Sequence, residues 1–129
     1  MSDGFNWMSN MLSGAGVLVG TPEIDENLMI ATVTASEGRT QLLFIMEGSD
    51  YWLFASPFAE TSQVTAEQAL QVVNTADLPS GVRQFGNKFA LVRFLDKGDI
   101  QVPEIAKVCA KVSIWADAIE DALGLGDSL

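Results

Sequence analysis

The feature that most constrains this chain is a set of short segments with strand character whose side chains fail to alternate. A strand places successive side chains on opposite faces of its sheet. A sheet covered by helices on one face should therefore read apolar, polar, apolar, polar. In Leu42-Leu43-Phe44-Ile45-Met46 every side chain is apolar. Tyr51-Trp52-Leu53-Phe54-Ala55 and Phe89-Ala90-Leu91-Val92 carry apolar groups at both parities as well. Both faces of such a sheet bear large apolar groups, and 129 residues leave little chain to cover the second face. Exposing Phe44, Met46, Trp52 and Phe54 would leave unrealised burial on the order of 10 kcal/mol, at about 25 cal/mol per Å². Two solutions are open. The sheet curls and an N-terminal helix covers the second face, or a second copy or partner segment covers it.

The elements follow from local signals. Residues 3–12 read as a short helix with Asp3 as its cap and Phe5, Met8 and Leu12 on one face. Trp7 and Met11 form a second apolar stripe, which suggests a helix pinned between two surfaces. Ser13-Gly14-Ala15-Gly16 ends it, and the stretch to Pro22-Glu23 reads as loop or a short extended piece. Three strands come next: Leu28 to Ala35, Thr40 to Met46, and Tyr51 to Ser56 ended by Pro57. The turns between them, Ser36-Glu37-Gly38-Arg39 and Glu47-Gly48-Ser49-Asp50, imply an antiparallel meander.

Thr65 and Gln68 form a capping box for a helix whose buried stripe is Ala66, Ala69, Leu70 and Val73. After the break at Leu78-Pro79-Ser80-Gly81, strands are expected over Val82–Phe85 and Phe89–Leu95, joined at Gly86-Asn87. Asp96-Lys97-Gly98-Asp99 turns the chain into a last helix from Pro103 to Leu123. Its seam of Ile105, Val108, Val112, Trp115, Ile119 and Ala122 fits a stripe packed on the sheet or a helix–helix dimer seam. Asp117, Glu120 and Asp121 oppose the dipole at its C-terminal end, so that end should fray unless a basic side chain or a partner holds it. The expected fold class is α+β, in the order α-β-β-β-α-β-β-α, one domain over 1–129.

Composition bounds the function. The formal net charge is −10, with ten acids and only Arg39 in residues 1–82, against seven acids and six bases in residues 83–129. A polyanionic nucleic acid would be repelled. The negative excess serves solubility or steers a basic partner. One cysteine, Cys109, permits no internal disulfide. No apolar run reaches the roughly 18 residues of a membrane span and no signal-peptide pattern opens the chain, so a cytoplasmic setting is expected.

Catalytic readings find little support. Histidine is absent, which removes the usual general base at neutral pH, the Ser-His-Asp and Cys-His arrangements, and nearly all zinc sites. Cys109, beside Val108 and Val112, reads as a small core residue. Glu23, Asp25 and Glu26 do not match a calcium loop, and Asp96, Asp99 and Glu104 read equally as solvated acids. Gly14, Gly16 and Gly20 lack the Lys-Ser/Thr ending of a phosphate loop. No catalytic residue, metal or cofactor is expected.

The element order and several strings resemble the YbjN-like, type III secretion chaperone-like domains of bacteria. The strings are Tyr51-Trp52-Leu53-Phe54-Ala55-Ser56-Pro57-Phe58-Ala59-Glu60, Asn74-x-x-x-Leu78-Pro79-x-Gly81, and the strand after Gly38-Arg39. The resemblance spans about residues 25–123, and the seventeen N-terminal residues match no motif of the family. It implies a twisted antiparallel sheet with flanking helices, commonly dimeric, in small acidic cytoplasmic proteins that hold a segment of another protein. The resulting expectation is a non-enzymatic protein-binding domain, chaperone-like or regulatory, acting as a homodimer. Phe44, Met46, Trp52, Phe54 and Trp115 would line the dimer or partner surface, and an extended or amphipathic segment would be captured there. Met8, Met11, Met29 and Met46 would let that surface adapt. The alternative is a regulatory module holding a small apolar ligand between sheet and helices.

Overall fold

The computed structural model describes residues 3–35, 38–98 and 101–124. Its elements are α1 (Asp3–Gly14), β1 (Glu23–Asp25), β2 (Leu28–Thr34), β3 (Thr40–Glu47), β4 (Tyr51–Glu60), α2 (Ala66–Ala76), β5 (Gly81–Phe85), β6 (Lys88–Asp96) and α3 (Val102–Ala122). One antiparallel sheet has the strand order β1-β2-β3-β4-β6-β5. Consecutive hairpins make β1 to β4 a meander. The crossover through α2 then sends β5 to the far edge, so that β6 fits between it and β4. The α+β class, the three helices and the five longer strands agree with the reading of the sequence.

Two strand boundaries differ from it. Glu23–Asp25 pairs with Leu28–Ile30 as a short edge strand, and the chain just before it adds an isolated bridge from Leu18 to Val33. Together these cover most of the outer edge of β2, which would otherwise present an unpaired ladder. The second difference is at Pro57. β4 does not stop there; it runs on to Glu60, with a register shift against β6 between Pro57 and Ala59. Proline cannot donate to a ladder and is tolerated inside a sheet where the pairing is irregular. The Pro57 carbonyl at this shift is taken by the side-chain amide of Gln41, 2.6 Å away.

All three helices lie on one face of the sheet. The main core joins Phe5, Met8 and Leu12 of α1, Ala69 and Val73 of α2, and Ile105, Cys109, Val112, Ala116 and Ile119 of α3 to Val33, Leu43, Ile45, Trp52, Phe54, Phe58 and Leu91 of the sheet. The N-terminal helix therefore does not cover the second face. It is not pinned between two surfaces either, since Trp7 on its outer stripe is 43% exposed. The seam of α3 is rotated from the expected one. Val108 and Trp115 are half-buried and Ala122 is exposed, while Cys109 and Ala116 take buried places against the sheet. Small side chains let the helix approach closely. The stripe packs on the sheet, the first of its two expected meanings.

The capping box forms as expected. Gln68 N donates to Thr65 Oγ1 at 3.1 Å and Thr65 N donates to Gln68 Oε1 at 2.9 Å. Gly86, at a φ of +58°, makes the tight turn between β5 and β6. The Ser36–Arg39 and Asp96–Asp99 turns lie partly outside the described residues.

Candidate functional site: the helix-free face of the sheet

The face opposite the helices is built by strand register. Phe44 pairs with Ala55, and Met46 with Leu53, across β3 and β4. Ala55 pairs with Val92 and Leu53 with Phe94 across β4 and β6, and Gly81 pairs with Val92 at the β5 edge. These side chains share the helix-free face. Leu53, Ala55, Ala90 and Val92 form a small apolar cluster of their own, with Phe44, Met46 and Phe85 half-buried around it.

Ala55 and Ala90 are fully buried although no helix reaches them. The cause is aromatic. Phe44 stands on β3 and Phe85 on β5, three strand spacings apart and, since Phe44 is level with Gly81, four residues along the strand, about 19 Å of backbone in a flat sheet. Their ring centroids are nevertheless 6.5 Å apart with planes at 75°, an edge-to-face pair. Such an approach requires the sheet to curve toward this face, and the two rings shelter the alanines between them. The expected curl is present, and side chains of the sheet do part of the covering assigned to a helix.

The covering is incomplete. Phe94 is 54% exposed and Tyr51 42%, and their rings pack edge-to-face at 5.4 Å. The Arg83 guanidinium lies 5.2 Å from the Phe85 ring centroid, where the ring face attracts a cation. The margins of the face carry opposite charge. Glu23 and Asp25 lie at the β1 margin; Arg83 and Lys88 lie at the β5 margin, with Lys88 3.5 Å from Glu60.

The five residues expected to line a partner surface do not converge. Phe44 and Met46 are on the helix-free face. Trp52 and Phe54 lie in the main core on the opposite face, and Trp115 is half-buried on α3 against that core. Trp52 is held there by Phe5, at 6.0 Å between centroids, and by the Lys97 ammonium at 5.4 Å. Of Met8, Met11, Met29 and Met46, the first and third are buried, so Met11 and Met46 are the two that reach the surface. Leu53, Phe85, Tyr51 and Phe94 join the face without having been singled out; their apolar character at the matching parity was the available signal.

The helix-covered side holds a buried polar group that pattern reading missed. Gln41 of β3 and Glu120 of α3 are both buried, and Gln41 Nε2 donates to Glu120 Oε1 at 2.6 Å as well as to the Pro57 carbonyl. A side-chain amide has two N–H donors, and both are used. Arg39 Nη2 lies 2.8 Å from Asp117 Oδ1, whose side chain is only 6% exposed. Asp117 and Glu120 are thus held by a basic side chain and an amide, Asp121 is exposed, and the helix runs to Ala122. Cys109 is buried in the first half of α3, and burial pushes its thiol well above the usual cysteine range. Among the described residues no three Cys, Asp or Glu side chains gather to hold a metal ion. Among them, too, no helix is long and apolar enough to cross a membrane.

No protein-family model and no curated protein matches this chain. Among solved structures, it is similar to a chain in the structure of the heterodimeric complex ExoU-SpcU from the type III secretion system of Pseudomonas aeruginosa. The TM-score is 0.59 at 12% identity, covering 95% of this chain and 99% of that one. At that identity the likeness shows the fold. The type III secretion chaperone-like architecture expected from the element order is the one observed.

Proposed function

We propose that this chain is a non-enzymatic protein-binding domain, chaperone-like or regulatory, that works in the cytoplasm as a homodimer joined through the helix-free face. The observation that carries the reading is that face itself. It is curved, apolar at its centre and rimmed by the exposed rings of Phe94 and Tyr51. The likeness to a chain taken from a two-protein complex supports a role in binding protein. The YbjN-like strings in β4 and before β5 support the regulatory variant of the same reading.

Charge supports a second copy as the first occupant. A two-fold axis parallel to the strands would lay the β1 margin of one copy over the β5 margin of the other. Glu23 and Asp25 of one copy then lie along the same margin as Arg83 of the other. The alternative of a small apolar ligand between sheet and helices has less room, because Phe5, Met8, Phe54 and Phe58 fill that space and are buried.

Light scattering after gel filtration tests the reading. At micromolar concentration the expected species is about twice the chain mass of 13.9 kDa. Phe44→Glu together with Phe94→Glu should return it to a monomer that keeps its far-ultraviolet circular dichroism. A wild-type protein found only as a monomer overturns the homodimer.

A further inference from the structure

The few cations of this acidic chain are unevenly used. Arg39, Lys88 and Lys97 each sit in an ion pair, with Asp117, Glu60 and Glu47. Arg83 stacks on Phe85. The remaining three, Arg93, Lys107 and Lys111, line one cleft of about 200 Å³ between β6 and the first half of α3. Among the described residues none of the three makes an ion pair. Leu95 and Val108, both half-buried, supply the cleft's apolar surface, and among the described residues Glu104 is the acid that lines it.

This arrangement runs against local helix chemistry. Lys107 and Lys111 are four apart on α3, neighbours on one helical face, where like charges repel by a few tenths of a kcal/mol. At the other end of α3, Asp117 and Glu120 are answered inside the chain by Arg39 and Gln41. At this end the acid in the first turn of α3 is Glu104. Arg93 is steadied from the side, its Nη1 donating to the Pro79 carbonyl at 3.3 Å. That bond fixes the arginine without neutralising it. In a chain of net charge −10, a cleft holding three cations and one anion is a local reversal of sign.

We infer that this cleft is a docking site for an acidic segment of another protein. Carboxylates of the segment would meet Lys107, Lys111 and the Arg93 guanidinium, and an apolar side chain between them would rest on Leu95 and Val108. Carboxylates two residues apart on an extended chain are separated by about 7 Å. That is close to the span of about 5–6 Å between residues four apart on a helix. The occupant is a carboxylate-bearing peptide, because the apolar floor is of no use to a free anion. The cleft lies on the helix side of the sheet, so the inference stands whether or not the opposite face joins two copies.

The test is fluorescence anisotropy with a labelled twelve-residue peptide of alternating Glu and Leu, beside the same peptide with Gln for Glu. Both lysines are exposed, so K107E/K111E leaves the core untouched, and circular dichroism verifies that it folds. The acidic peptide should bind the wild-type protein, bind K107E/K111E at least tenfold more weakly, and lose affinity as salt rises from 50 to 200 mM; the Gln peptide should bind poorly. The dimer-face variant Phe44→Glu with Phe94→Glu should bind the acidic peptide like wild type. Equal affinity of wild type and K107E/K111E, preference for the Gln peptide, or tighter binding of anionic vesicles or a single-stranded oligonucleotide than of the peptide would each overturn the inference.

Discussion

Arg39 and Asp117 are joined by a 2.8 Å ion pair that ties the start of β3 to the last turns of α3. Arg39 is also the only base in the first 82 residues. Its position explains how a helix with acids at its negative dipole end stays formed. Arg39→Ala should destabilise the fold by about 2 kcal/mol, less than for a fully buried pair because the arginine side chain is partly exposed. Urea denaturation should show a midpoint lower by about 1 M. Hydrogen exchange should show lost protection confined first to the last two turns of α3.

Gln41 and Glu120 act as a unit. Gln41→Leu removes one hydrogen bond to the buried Glu120 carboxylate and should cost about 1–3 kcal/mol. Adding Glu120→Leu should recover part of that loss, since the two leucines need no hydrogen bond to each other while the Pro57 carbonyl still lacks the amide donor. A double-mutant cycle in urea measures the coupling, and strictly additive losses would show that the two residues act separately.

Cys109 predicts a pH dependence with a definite sign. Burial raises its pKa in the folded chain. The unfolded chain loses the thiol proton above about pH 8.5 while the folded chain keeps it. Protons bound in the unfolded state are then fewer, so stability falls as pH rises, by up to about 1.4 kcal/mol per unit. The contribution is fully present below the unfolded pKa. Urea midpoints at pH 8 and pH 10 should differ more in the wild type than in Cys109→Ala. A thiol reagent should label Cys109 only at the rate of unfolding.

Phe44 and Phe85 should be energetically coupled across the sheet. Each single change to alanine removes a half-buried ring. The cycle should return a favourable interaction of about 0.5–1.5 kcal/mol, the range for edge-to-face aromatic pairs. Both single variants should also expose Ala55 and Ala90, readable as increased binding of a hydrophobic dye.

Much of the fold was legible because local signals agreed. The Thr65–Gln68 capping box, the turn at Gly86 and the apolar runs all read the same way. What was not legible is register. Within β3, Phe44 and Met46 share a face; within β4, Trp52 and Phe54 share one. Whether the two pairs lie on the same face depends on the turn between the strands. In the fold, Glu47 opposes Trp52, which puts Met46 opposite Leu53 and Phe44 opposite Ala55. One residue more or less in that turn would have brought all four side chains together. Close approach also shapes the turn, since a Cβ on Gly48 would lie 2.5 Å from the Tyr51 ring. The Gln41–Glu120 bond was equally hidden. Gln41 follows Arg39-Thr40 and Glu120 stands beside Asp121, so each reads as part of a polar surface, and 79 positions separate them.

The position of β4 sets a schedule for the growing chain. One of its edges pairs with β3, which has already been made, but the other waits for β6. Residues 61–87 must be added before β6 begins, an interval of about 1–5 s at ordinary rates of synthesis. For that time the strand from Trp52 to Ala59, buried at every residue in the finished fold, presents a bare edge to its surroundings.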